Sequence, residues 1–168
     1  MPTGRSWLHE AKYDGYRILA RKAGDEVTLF SRSGLDWTVR FPAIARAMQS
    51  FPANSAMIDG EVAFVLPSGI TDFKSLQEHI DTPHPSIHYF VFDLLSLDGK
   101  DWRKKPLRER RARLAKLMSA KAVSNFLVYG DYVEGSGPEF FAQACALGLE
   151  GIMSKRADSL YRSGRGKD

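Results

Sequence analysis

The sequence predicts an α+β fold, mainly antiparallel sheets flanked by helices. Short β-type runs separated by turn residues crowd the beginning of the chain, the pattern of successive hairpins. Later segments carry apolar residues at helical spacing. Strands and helices alternate without the regular βαβα beat of a parallel sheet. The chain has 168 residues, 43% hydrophobic and 26% charged. That is globular composition and enough length for one real core, so residues 1-168 are expected to form a single domain.

The elements follow in order. Trp7 to Lys12, Tyr16 to Arg21 and Val27 to Ser31 read as strands, with Gly15 and Gly24-Asp25 marking turns. Pro42 opens a short helix to Met48. Ala56 to Val65 returns to β character across Asp59-Gly60-Glu61, and Asp72 is placed to cap a helix through Glu78. Ile87 to Leu95 is a strongly β run, closed by an Asp98-Gly99 turn. Pro106 starts a basic helix whose Leu107, Leu114, Leu117 and Met118 share one stripe. Phe126 to Tyr129 reads as a strand, Pro138 to Leu147 as a helix ended by Gly148, and Gly151 to Lys155 as a last strand. A polar tail from Ser163 to Asp168 follows.

Several classes are excluded. The apolar runs Tyr89 to Phe92 and Phe140 to Ala142 fall far short of the roughly 20 residues of a membrane helix. Met1-Pro-Thr-Gly-Arg-Ser6 leads at once into mixed polar sequence, unlike a signal peptide. Cys145 has no second cysteine to pair with, and its Ala-rich surroundings predict a buried thiol. A cytoplasmic protein with no membrane partner is expected.

The net charge of +4 is unevenly spread. Lys100 to Lys121 carries ten basic residues against two acidic ones, and Lys155 to Asp168 five against two. A basic back half on a mildly acidic body favours polyanionic ligands such as nucleic acid or nucleotide phosphates. The alternative is that Arg108-Glu-Arg-Arg-Ala-Arg113 is simply the solvated face of a helix.

The segment Glu10-Ala-Lys12-Tyr-Asp14-Gly15-Tyr-Arg17 carries the most chemistry. A lysine beside a turn glycine and flanked by carboxylates suits a nucleophile or a phosphate ligand, with Asp14 a candidate to orient the amine. With a reference pKa of about 10.4, an ordinary lysine is the free amine in only about one molecule in a few thousand at pH 7. A nucleophilic lysine therefore needs a special site. Four further pieces stand at spaced positions: Ser31-Arg-Ser-Gly34, Asp59-Gly-Glu61, Phe90-Val-Phe-Asp93 and Glu150-Gly-Ile-Met-Ser-Lys155. Each is weak alone, and their common order is specific.

In that order the motifs resemble those of the covalent nucleotidyltransferases, specifically the ATP-dependent DNA ligases. The intervening Leu94-Leu-Ser-Leu-Asp-Gly99 and Pro106-Leu-Arg-Glu-Arg110 resemble the adenylation domain of bacterial end-joining ligases. The resemblance runs from about Trp7 to Asp168 and implies an ATP-grasp-like ligase/capping-enzyme nucleotidyltransferase fold. It implies that Lys12 attacks the α-phosphorus of ATP, expels pyrophosphate and holds AMP. It places Glu10 at the adenine edge, Arg17 and Glu61 near the ribose, and Phe92 stacked on the purine with Phe90 as the alternative. Arg32 would meet a phosphate, Lys155 would reach the phosphates, and Glu150 would hold Mg²⁺ or Mn²⁺. The implied partners are nicked or broken double-stranded DNA and end-joining proteins.

The family continues with a W-x-K-x-K strand and an OB-fold domain, whereas this sequence stops at Gly166-Lys167-Asp168. Nick sealing by this chain alone is not expected, and a sheet edge left open by a missing strand is. Two other readings stay open on the sequence. An RNA ligase or capping guanylyltransferase shares the lysine chemistry, and a DNA-binding module without chemistry would need only the basic segment.

Overall fold

The computed structural model describes residues 2–163, and the reading of Gly166-Lys167 falls outside them. Nine strands, four α-helices and one short 3₁₀ turn (Thr38–Arg40) are found among the described residues. β1 (Gly4–Ala11), β2 (Gly15–Ala23) and β3 (Glu26–Ser31) open the chain. They are followed by α1 (Pro42–Gln49), β4 (Ser55–Phe64), α2 (Phe73–Glu78), β5 (Ile87–Leu97) and β6 (Lys100–Asp101). The remainder is α3 (Leu107–Met118), β7 (Leu127–Tyr129), β8 (Tyr132–Gly135), α4 (Gly137–Ala146) and β9 (Ile152–Arg156). Asp72 caps α2 as expected, accepting from the Ser75 N–H at 2.7 Å. The strand β8 has no counterpart in the sequence reading. It is short, lies at a sheet edge and holds only Tyr132 and Val133 as β-type residues.

The strands form two sheets. One has the order β8-β1-β9, and the other has β3-β2-β4-β5-β6 with β7 beside β5. Every named strand pair is antiparallel except β5–β7. Alternation on the central strands sorts the side chains. Ile18, Ala20, Ile58 and Val62 point into a core shared with Ile44 and Met48 of α1, Leu76 of α2 and Leu114 of α3. Arg17 and Glu61, direct partners across β2 and β4, face the other way. Gly60 keeps β4 close to β5. A side chain there would meet the Phe90 carbonyl at 2.5 Å and the Tyr89 ring at 2.6 Å.

Helix α3 departs from the solvated-face alternative in an instructive way. Leu107, Leu114 and Leu117 are buried as the stripe predicts, but so are Arg110 and Arg111. Arg110 forms a two-pronged ion pair with Asp93, Nε to Oδ1 at 2.7 Å and Nη2 to Oδ2 at 3.0 Å. The first backbone N–H groups of the helix are satisfied by chain beyond β9. Leu107 donates to the Ser159 carbonyl and Arg108 to that of Ala157, both at 2.9 Å. The helix thus ties β5 to the end of β9. Cys145 corrects the sequence reading: it is exposed, because α4 turns Gly137 and Ala144 inward. No helix among the described residues is long and apolar enough to cross a membrane.

Arg110→Ala would strand Asp93 as a buried, unpaired charge. The expected loss is about 3–5 kcal/mol of unfolding free energy, measured by denaturant titration against the wild type. A loss below about 1 kcal/mol would mean that the pair does not hold the fold.

Candidate active site

A cavity of about 760 Å³ opens where the two sheets meet. The first sheet contributes Glu10 and Lys12 from β1 and its end, and Met153 and Lys155 from β9. The second contributes Arg17 from β2, Glu61 from β4, Phe92 from β5, and Arg32 from the turn after β3. Seven of the eight residues named from the sequence therefore line one cavity. Glu150 is the eighth. It sits just before β9, outside the lining, and its carboxylate forms an ion pair with the Lys12 amine.

Local hydrogen bonds explain why Lys12 stands there. Its backbone N–H donates to the Gly151 carbonyl at 3.0 Å, which joins the lysine to the segment leading into β9. Tyr13 stacks on Phe90 with ring centroids 4.1 Å apart, so neighbouring residues are pinned on opposite sides of the seam. Burial pushes the Tyr13 hydroxyl up to about 12, which keeps it neutral. Gly15 permits the tight approach of β2 to β4, because any side chain would collide with the Val62 carbonyl. Asp14 does not orient the amine. Its carboxylate accepts from the Phe73 N–H at 3.4 Å, and its own N–H donates to Thr71 Oγ1 at 2.9 Å. It is a loop anchor, and the carboxylate beside the amine is Glu150.

The aromatic wall is resolved by the same stacking. Phe90 has one face covered by Tyr13, whereas Phe92 lines the cavity. The Lys155 amine lies 4.3 Å from the Phe92 ring centroid and forms an ion pair with Glu10. Arg17 is held from behind by Asp59, through Nε to Oδ1 at 3.0 Å and Nη2 to Oδ2 at 2.6 Å. Tyr161 closes this cluster by donating to Asp59 Oδ2 at 2.9 Å. In Asp59-Gly-Glu61 the first carboxylate is therefore structural and the second faces the cavity. Burial raises the Glu61 carboxyl to about 7, with Arg17 opposing the rise and Asp59 adding to it.

Sequence reasoning missed the supporting residues Tyr13, Trp37, Asp59, Arg111 and Tyr161. Trp37 lines the cavity and packs edge-on against Tyr16 at 5.0 Å. Its signal was the invitingly placed Asp36-Trp37 after the Ser-Arg-Ser-Gly turn. Arg111 gave none, since helical spacing alone does not tell a buried arginine from a solvated one.

No group of three or more His, Cys, Asp or Glu that could hold a metal occurs among the described residues. A single carboxylate beside the Lys12 amine nevertheless fits a magnesium-type ion. Such ions take one or two protein carboxylates and fill their remaining positions with water and substrate phosphates.

A family model described as ATP dependent DNA ligase domain matches residues 2–168. The chain belongs to that family. A multifunctional non-homologous end joining protein LigD from Pseudomonas aeruginosa is 36% identical over 168 residues, covering 99% of this chain and 20% of that protein. A DNA ligase from Sulfophobococcus zilligii is 33% identical over 179 residues, covering 96% of this chain and 29% of its own. The structure of a mycobacterial DNA ligase D complexed with ATP and MES matches with a TM-score of 0.85 at 30% identity. That match covers 97% of this chain and 52% of the solved one. The chain is thus a LigD-like adenylation domain that spans about a fifth of the Pseudomonas protein and about half of the solved ligase.

The Glu61 carboxyl predicts a pH effect of definite sign. Its folded pKa of about 7 lies above the ordinary 4.5, so its contribution to stability is fully present below pH 4.5 and lost as pH rises through 7. Glu61→Gln should remove this dependence. The difference in unfolding free energy between variant and wild type should grow by up to about 3 kcal/mol from pH 4.5 to pH 8. A constant difference across that range would contradict the assignment.

Proposed function

We propose that this domain takes AMP from ATP onto Lys12 and passes it to the 5′-phosphate of a break in double-stranded DNA. The observation that carries the reading is the convergence on one cavity of an amine, an aromatic face, an acidic pair and three further cations. Lys12 Nζ attacks the α-phosphorus as the free amine. A P–N bond forms, the P–O bond to pyrophosphate breaks, and the amine's proton leaves to solvent. Phe92 stacks on the adenine, Glu10 accepts from its exocyclic amino group, and Glu61 and Arg17 hold the ribose. Arg32 and Lys155 neutralise the phosphates, where positioning and charge compensation supply most of the catalysis. Mg²⁺ or Mn²⁺ held by Glu150 and the phosphates would supply further neutralisation.

The transfer to DNA goes one step beyond the ATP complex of the mycobacterial ligase D structure. DNA ends undergoing end joining and their protein partners are proposed by analogy with the Pseudomonas relative, a multifunctional non-homologous end joining protein. The domain itself need only form and hand over the AMP. Exposed Lys100, Lys104, Lys116 and Lys121 are the cations of the basic segment placed to follow a DNA backbone, since Arg110 and Arg111 are spent inside. A cytoplasmic site of action accords with this chemistry.

Intact-mass measurement after incubation with ATP and Mg²⁺ tests the proposal. The wild type should gain the mass of one AMP and Lys12→Ala should gain nothing. Glu150→Gln should slow the gain by about 10²-fold or more, as expected when one element of charge stabilisation is removed. A gain from GTP but not ATP would replace the reading with a guanylyltransferase. An adduct on Lys12→Ala would exclude this lysine as the nucleophile.

A further inference from the structure

Arg111 is buried to 1% exposure at the back of the cavity, and its contacts reach both walls. One terminal nitrogen donates to the Phe92 carbonyl at 2.7 Å, and the other donates to the Gly130 carbonyl. The nitrogen on Phe92 also lies 3.7 Å from Glu10 Oε2. The guanidinium is packed between two rings, 4.7 Å from the centroid of Tyr129 and 4.9 Å from that of Tyr132. A planar cation held by two carbonyls and beside two aromatic rings is more constrained than a lysine in its place would be.

Glu10 has two cationic partners on different oxygens, Lys155 on Oε1 and Arg111 on Oε2. They are not equivalent. The Lys155 side chain is 23% exposed and lines the cavity, so it is placed to turn toward phosphates. Glu10 itself is 6% exposed. When Lys155 leaves, Arg111 is the cation that still faces the buried carboxylate, and without it the charge would be stranded.

We infer that Arg111 is a positioning residue for nucleobase selection, fixing the Glu10 carboxylate relative to the backbone that carries Phe92 through a single guanidinium. This rests on the proposed adenylyl-transfer reading and deepens it. A carboxylate held at a set position accepts from the amino group at C6 of adenine and repels the carbonyl oxygen at C6 of guanine. A carboxylate free to swing loses that discrimination. Arg111 touches no nucleotide in this scheme and acts through Glu10 and Phe92.

The test is a double-mutant cycle read as the ratio of ATP to GTP affinity, measured by calorimetry on the full chain. The variants are Arg111→Lys, Glu10→Gln and the pair together. Wild type should prefer ATP. Arg111→Lys should weaken ATP binding and cut the ATP:GTP ratio by about tenfold or more. In the Glu10→Gln background the same change should leave the ratio where Glu10→Gln put it. Should Arg111→Lys fail to fold, Tyr132→Leu loosens the guanidinium from one side, and a smaller fall in the same ratio is expected. Equal weakening of both nucleotides, or full additivity in the cycle, would overturn the inference and leave the adenylyl-transfer reading intact. Wild type that binds neither nucleotide, or forms no adduct on Lys12, would instead remove that reading and this inference with it.

Discussion

A guanidinium carries five N–H donors and a charge that it does not shed, so burying one obliges the surroundings to answer it. Helix α3 buries two in succession. Arg110 is answered by Asp93 and by the carbonyls of Lys105 and Ser159, and Arg111 by the carbonyls of Phe92 and Gly130, which leave its buried Nε without a partner. Those partners belong to β5, to the entry of α3, to the turn between β7 and β8, and to the chain after β9. The two sheets meet at the cavity because this helix is anchored to both. The Asp93 that ends the Phe-Val-Phe-Asp motif has no place in the cavity, and its presence in the motif is explained by Arg110.

The same constraint revises the meaning of the basic segment. Read as a count, ten cations between Lys100 and Lys121 suggest a polyanion surface. In the fold they divide by role. Arg110 and Arg111 serve the interior, Arg103 is held by Asp101, and Arg108 bonds the Arg5 carbonyl and faces Glu134. What remains at the surface is largely lysine. That division matters physically, because lysine is a hydrated point charge suited to sliding along phosphates, whereas arginine is the better buried clamp.

The antiparallel α+β architecture was legible because strand alternation and turn residues report it locally. Asp72, Asp98-Gly99 and Pro42 all act where their chemistry suggested. That seven distant residues would gather on one cavity was legible through motif order, which carries information that no single spacing does. The residues that hold them were not. Asp59 and Glu61 are two residues apart with similar side chains, yet one is locked to Arg17 and Tyr161 while the other faces the cavity. The difference comes from Tyr161, far along the chain, and from a register shift between Asp59 and Gly60 that local sequence does not announce. Cys145 was misread for a related reason: α4 carries few polar residues to mark its outer face, so composition cannot say which face packs.

The charge pairs in the cavity reveal how a nucleotide would enter it. Lys12 rests on Glu150, and Lys155 rests on Glu10 while lying over Phe92. Both lysines that the proposed chemistry needs are thus held by carboxylates that it also needs, and the base-stacking face is covered by one of them. In the proposed reading a triphosphate would change these partnerships together: its oxygens would draw both amines away, the uncovered Phe92 face would receive the base, and Glu150 would be free to help hold a magnesium-type ion. Glu10 alone keeps its inner partner. The exchange replaces internal ion pairs with ligand ion pairs, so the cost of uncovering the site is met by charges that only a polyphosphate brings. A neutral purine nucleoside, having the base and ribose but no phosphates, would have to displace Lys155 from Phe92 without offering it anything in return.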